Sequence, residues 1–208
     1  MAGAIKHIKL LAASLGVGTH KAANTAGSFV NMRYTDVIAG PVAAAADTIV
    51  TAVAASNAAG GADLTIAAQP DFPRNITITA DAAQTEAVTI TGTDQFDAAQ
   101  TEAITFNGAA TVAGKKVFKT VTLVHQAQRS GAANISVGTG VIMGTSRKMN
   151  SLGIDAAVYT TASGATTAVQ ETTRPVKAPT ANVHGVTFNT DPDPAKTHLL
   201  SYGSSEIR

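Results

Sequence analysis

Twelve residues of this chain occur almost twice over, sixteen positions apart: Asp81 to Gly92 reads DAAQTEAVTITG, and Asp97 to Gly108 reads DAAQTEAITFNG. The first seven residues are identical and the eighth is β-branched in both copies. Each copy runs into an alternating stretch, Val88-Thr89-Ile90 in one and Ile104-Thr105-Phe106 in the other. A period of two places large apolar side chains on one face of a strand and threonines on the other. Solenoids need about three or more copies of their repeat. Two copies read instead as successive meander strands from a duplicated hairpin unit, and they commit this part of the chain to β structure.

The same pattern recurs elsewhere. Thr48–Ala54 and Asp63–Ala68 are strand candidates separated by the loop signal NAAGG. Gln69-Pro70-Asp71-Phe72-Pro73 reads as a rigid turn, and Arg74 to Thr79 follows with strict Ile/Thr alternation. Val117 to Val124 reads as one strand whose Val117, Lys119, Val121, Leu123 face is apolar except for the lysine, which suits an edge or a partner contact. Asn134 to Gly138 suggests a strand entering a glycine-rich turn over Gly140–Gly144. Further candidates are Ala156–Thr161, Thr167–Gln170, Val183–Asn189 and Thr197–Tyr202, the last preceded by the breaker Asp191-Pro192-Asp193-Pro194. Regular strand intervals with little helix between them predict a mainly β, antiparallel sandwich or barrel-like domain.

The beginning of the chain reads differently. Ile5, Ile8, Leu11 and Leu15 recur at spacings of three and four, which predicts a short amphipathic helix over residues 3–15 ended by Gly16 and Gly18. Gly16 to Gly40 lacks periodicity and is expected to be an extended arm or loop. The organisation expected is therefore residues 1–45 as N-terminal helix and extended arm, and residues 46–208 as the β-domain. Lys6, Lys9 and the apolar stretch Leu10–Val17 resemble a leader only weakly, since Ser14 and Gly16 interrupt it. No apolar run approaches the roughly eighteen residues that a bilayer-spanning helix needs.

Composition narrows the partners. The hydrophobic fraction is 45%, but aromatics are 4% and tryptophan is absent. Small side chains each remove little area from water, at roughly 25 cal/mol per Å². Charged residues are 14% and the net charge is +1, well below what keeps an isolated soluble domain from self-association. Burial against other copies would compensate on both counts. The balance of fifteen basic and fourteen acidic residues argues against nucleic acid as a partner. With no cysteine in the chain, disulfides and thiolate chemistry are excluded.

No catalytic, cofactor-binding or metal-binding residues are assigned. His7, His20, His125, His184 and His198 stand singly, with no HxH or HxxxH spacing. His125 follows a strand and is expected in an exposed turn. Glu86 and Glu102 occupy equivalent repeat positions and could form an acid/base pair, but duplication explains them more simply. Asp191 and Asp193 could ligate calcium; the prolines beside them favour a rigid turn. Gly138-Thr-Gly140-Val-Ile-Met-Gly144 has GxGxxxG spacing and no following helix, so a β-turn is preferred over a dinucleotide loop. Asn75 and Asn134 fit glycosylation sequons within strand candidates and receive no weight.

Several segments together resemble tailed-bacteriophage virion structural proteins. They are PDFPRNITITA (Pro70–Ala80), TEAVTITGTDQFDAAQTEAITFNG (Thr85–Gly108), TVAGKKVFKTVTLV (Thr111–Val124) and NISVGTGVIMG (Asn134–Gly144). The resemblance implies a non-enzymatic particle subunit, most like a capsid decoration (cement) protein. Such proteins bridge neighbouring major capsid subunits, often as trimers, and would be assembled in the host bacterial cytoplasm. The partners implied are copies of itself and the major capsid protein or other virion proteins, with no cofactor, nucleic acid or membrane. Two alternatives stand beside it: a tail-tube or head–tail connector subunit, and a receptor- or glycan-binding β-module.

Overall fold

The computed structural model describes residues 6–8, 32–129, 133–147, 157–162, 169–171, 185–188 and 192–204. Its strands, in chain order, are β1 (Lys6–Ile8), β2 (Met32–Ala39), β3 (Ala45–Ala54), β4 (Ala62–Asp63), β5 (Arg74–Ala80), β6 (Ala87–Thr93) and β7 (Ala99–Thr105). They continue as β8 (Thr111–Phe118), β9 (Thr120–Gln126), β10 (Asn134–Gly144), β11 (Ala157–Ala162), β12 (Val169–Glu171), β13 (Gly185–Thr187) and β14 (Lys196–Ser204). No helix occurs among the described residues. The protein is mainly β, as its alternation requires.

Among the described residues every strand pairing is antiparallel, and the strands form three open sheets. One has the order β13-β10-β5-β8, with β3 also on β10; a second has β4-β9-β6-β7; the third has β1-β2-β14-β11-β12. None closes on itself, so the barrel half of the expectation is corrected. The first two sheets share one apolar core. Ile76, Ile78, Phe118, Ile135 and Val137 come from one sheet, and Val88, Ile90, Ile104, Val121 and Val124 from the other. Each large side chain so buried contributes about 1.5–3 kcal/mol, which makes this shared layer the main source of stability.

The opposite phase of the alternation is also used. Three pairs of directly opposed threonines join their hydroxyls across neighbouring strands: Thr79 with Thr111 at 2.8 Å, Thr93 with Thr120 at 2.7 Å and Thr91 with Thr101 at 3.4 Å. Such pairs contribute about 0.2–1 kcal/mol each.

Several local expectations change. The two repeat copies do form successive antiparallel strands, but as the two arms of one hairpin: β6 pairs with β7, and Val88 faces its own counterpart Ile104. Val117–Val124 is two strands. β8 ends at Phe118 in one sheet, β9 starts at Thr120 in the other, and Lys119 stands at the crossing. Val117 and Phe118, on opposite faces of a strand, are both fully buried there, because at a crossing between sheets both faces meet protein.

Within Asp63–Ala68 only Asp63 is strand, as the end of β4. Beyond it, Leu64 donates to Val124 of β9 and Ala67 donates to Ile49 of β3, so the segment bridges two sheets. Gly140–Gly144 is no turn either: β10 continues through it to Gly144. Glycine stands at 138 because a Cβ there would overlap the carbonyl of Ala45 on the neighbouring strand.

Within the expected helix 3–15, the described residues Lys6–Ile8 are extended and pair with Thr35–Val37 of β2; the remainder lies outside the described residues, as does most of the expected arm. β2 itself runs along β14 from Met32↔Ser204 to Ala39↔Thr197. Asp36 of β2 is fully buried and accepts hydrogen bonds from the backbone N–H of Ser146 at 2.7 Å and its hydroxyl at 2.6 Å, which ties this sheet to the end of β10.

Candidate functional site

The most concentrated buried chemistry lies where β5 begins. β5 is flanked by two strands that both bulge at this point. On β8, Val117 pairs with Asn75 and Ala113 with Thr77, so Gly114–Lys116 stand opposite Ile76 alone. On β10, Thr139 pairs with Ile76 and Met143 with Arg74, so Gly140–Ile142 stand opposite Asn75 alone. A bulge removes ladder partners from backbone groups, and buried groups left unpaired cost about 1–3 kcal/mol each.

Side chains fill the gaps. Arg74, fully buried, donates through Nε and Nη2 to the carbonyl of Gly140 at 2.9 and 2.7 Å. Its Nη1 donates to the carbonyl of Val42 at 2.9 Å and to the Asp71 carboxylate at 3.0 Å. Asn75 donates from Nδ2 to the carbonyl of Gly114 at 2.9 Å and accepts the N–H of Ile142 on Oδ1 at 2.9 Å. Glu102 of β7 reaches across to accept the N–H groups of Lys115 at 2.7 Å and Lys116 at 3.1 Å. Both bulges are thereby stitched to their neighbours.

A cavity of about 450 Å³ opens beside this cluster, lined by Ala45, Asn75, Thr77, Ala113, Gly140 and Ile142 among others. Its described lining carries no ionisable side chain. The cavity can hold an uncharged apolar group, while the polar cluster next to it is occupied in fixing backbone.

The residues singled out in the sequence do not converge here. Glu102 joins the cluster, but Glu86 accepts instead from the adjacent N–H of Thr85 at 3.1 Å. His125 lies within β9, half exposed, and its Nδ1 contacts the Asp63 carboxylate at 2.7 Å, so the expected turn position is corrected. His198 is buried in β14 and its ring stacks on Phe188 with centroids 4.9 Å apart. His7 lies in β1, opposite Asp36 in register. Asp193 accepts the N–H of Ala195 at 2.9 Å within the turn before β14. His20, His184 and Asp191 lie outside the described residues. Among the described residues no group of three or more His, Asp and Glu side chains is placed to hold a metal ion.

Arg74 and Gln69 were not singled out in the sequence, and Asn75 entered only as a sequon given no weight. Gln69 hydrogen-bonds both backbone groups of Val121, donating to its carbonyl at 2.9 Å and accepting its N–H at 2.7 Å. The available signal was an arginine and an asparagine placed directly before a strict Ile/Thr alternation, where a buried charge is seldom found.

Fold and site together define a mainly β protein of open antiparallel sheets, whose buried polar side chains brace its strands. No family model matches this chain, and no curated protein or solved structure is similar enough to be matched to it.

Proposed function

We propose that this chain is a structural subunit of a tailed-phage virion, acting on the head as a decoration protein that bridges neighbouring capsid subunits. The observation that carries the reading is where the buried and half-buried polar side chains around β5 are spent. Arg74, Asn75 and Glu102 all hydrogen-bond the backbone of neighbouring strands. Their work is to hold a shape rather than to meet a substrate. The sparse charge and small apolar side chains support the same reading, since they favour a chain covered by other chains. Function here is mechanical: apolar faces buried across subunit contacts add to the cohesion of the shell.

Purified particles stripped of this protein should rupture at a lower temperature than complete ones, and adding the protein back should restore the original value. Unchanged rupture would remove the proposal. Rings or tubes of six- or twelve-fold symmetry from the purified protein would favour the tail or connector instead. Specific hits on a glycan array would favour a receptor-binding module.

A further inference from the structure

We infer that Asn107 and Gly108 form a self-modifying site. Asn107 slowly becomes a carboxylate through attack by the Gly108 backbone nitrogen, and the hydrogen bond from Gly108 to Gln84 sets the pace. The inference concerns covalent chemistry within the chain and stands whether or not the chain belongs to a virion.

The chain has nine asparagines, and Asn107 alone is followed by glycine. The Gly108 nitrogen bonds to Cγ of Asn107 and closes a five-membered imide ring. The side-chain nitrogen leaves as ammonia, taking up the proton that the Gly108 nitrogen gives up. Water then opens the ring. Breaking the bond at Cγ leaves aspartate in an ordinary chain. Breaking it at the backbone carbonyl leaves isoaspartate, with the chain running through the side chain and one methylene longer. In both cases asparagine and water give a carboxylic acid and ammonia, with no other reactant. Nucleophile and target are adjacent in one chain, which removes the entropic cost of bringing them together.

The structure leaves this pair open to reaction. β7 ends at Thr105, so the pair lies past the regular ladder. Asn107 is exposed, and its side chain has no hydrogen-bond partner among the described residues. Gly108 has a φ of +70°, and a Cβ built there would meet nothing within 4 Å. The matching glycine of the first repeat copy, Gly92, is enclosed in β6, where a Cβ would overlap the carbonyl of Thr120. The other described asparagines are held differently. Asn75 is buried with both ends of its amide bonded, and Asn134 donates from Nδ2 to Asp81 at 2.7 Å. Asn57 is exposed, but the Cβ of Ala58 crowds ring closure, and the Ala58 N–H donates to Ser56 Oγ at 3.1 Å.

One bond restrains the reaction. The Gly108 N–H donates to the carbonyl of Gln84 at 3.0 Å, and the Phe106 N–H donates to that of Glu86 at 3.0 Å, which prolongs the hairpin past β7. The Gly108 nitrogen attacks only after losing its proton, so it must first part from Gln84. The net strength of such a bond slows the step by about two- to tenfold. The outcome matters for a chain this sparsely charged. A fifteenth acidic group against fifteen basic ones takes the formal net charge from +1 to zero, the condition that favours self-association.

Purified protein held in warm, mildly alkaline buffer should gain one mass unit in the peptide that contains Asn107, with a one-charge acidic shift on isoelectric focusing. Conversion there should outpace that at Asn57, and it should run at least about twofold faster when the chain is unfolded in urea. Asn107→Gln, whose longer side chain would have to close a six-membered ring, should leave the peptide unchanged over the same period. An Asn107 that stays intact in the folded protein, converts no faster than Asn57, or converts as fast folded as unfolded would overturn the inference and leave the virion proposal untouched.

Discussion

Arg74 places two of its N–H groups on one acceptor, the carbonyl oxygen of Gly140, at 2.9 and 2.7 Å. That carbonyl belongs to the bulge of β10 opposite Asn75, where the ladder offers it no partner. The planar fork of a guanidinium suits the task, and a lysine ammonium would not reproduce it. Arg74 also holds Val42 and Asp71, so one side chain joins the entry to β3, the turn before β5 and β10. Replacing it with alanine should cost about 3–5 kcal/mol, the range for breaking a buried charged network. Urea unfolding would measure this, and a loss below about 1 kcal/mol would show that the network is dispensable.

Glu86 and Glu102 are equivalent in the repeat and unequal in the fold. Glu102 satisfies two amides of the β8 bulge, whereas Glu86 accepts from the N–H of its own neighbour Thr85. Hydrogen bonds to charged groups contribute about 1.5–3 kcal/mol. Glu102→Ala should therefore lower stability by about 1.5–3 kcal/mol. A loss below about 0.5 kcal/mol in denaturation curves, the size of an ordinary surface substitution, would contradict the assigned role.

Gly138 allows β3 and β10 to approach. A Cβ there would overlap the carbonyl of Ala45, a backbone atom that cannot rotate away. Gly138→Ala should cost about 2 kcal/mol or more and should loosen β3. Hydrogen exchange would report this as faster exchange of the amides that pair β3 with β10. At Gly60 a Cβ meets nothing within 4 Å, and the left-handed φ of +87° is the only obstacle. Gly60→Ala should cost only about 1–2 kcal/mol and leave that exchange unchanged.

Gln69 acts as a one-residue strand against Val121, pairing with both its N–H and its carbonyl. The pairing closes β9 where its register with β6 shifts between Thr91 and Gly92. Gln69→Ala should cost about 1 kcal/mol, while Gln69→Glu keeps the acceptor and loses the donor, and should fall between the two. Thermal unfolding of the three proteins in the order Gln, Glu, Ala tests this directly.

The strands were legible because alternation is a local property. Ile76 and Ile78 are buried and the threonines of β5 face the other way, as a period of two requires. Strands β3, β5, β6 and β14 fall close to where the pattern placed them. The buried cluster was not legible, since Arg74 and Asn75 acquire their roles from bulges in strands about 40 and 67 residues further along. No local pattern announces a bulge in a neighbour.

The repeated DAAQTEA draws the line most sharply. In its first copy Asp81 bends the chain and fastens the start of β10 by accepting from Asn134, and the strand begins only at Ala87. In its second copy Asp97 adopts φ of 67° in a tight turn, and the strand begins at Ala99. Seven identical residues thus enter their strands at different points. By itself the sequence determined that these residues could extend and which side chains would share a face, because both depend on neighbours along the chain. Where each strand began, which sheet it joined and whether its glutamate held a bulge were decided only by tertiary structure, because hydrogen bonds and buried area come from partners that the local sequence does not contain.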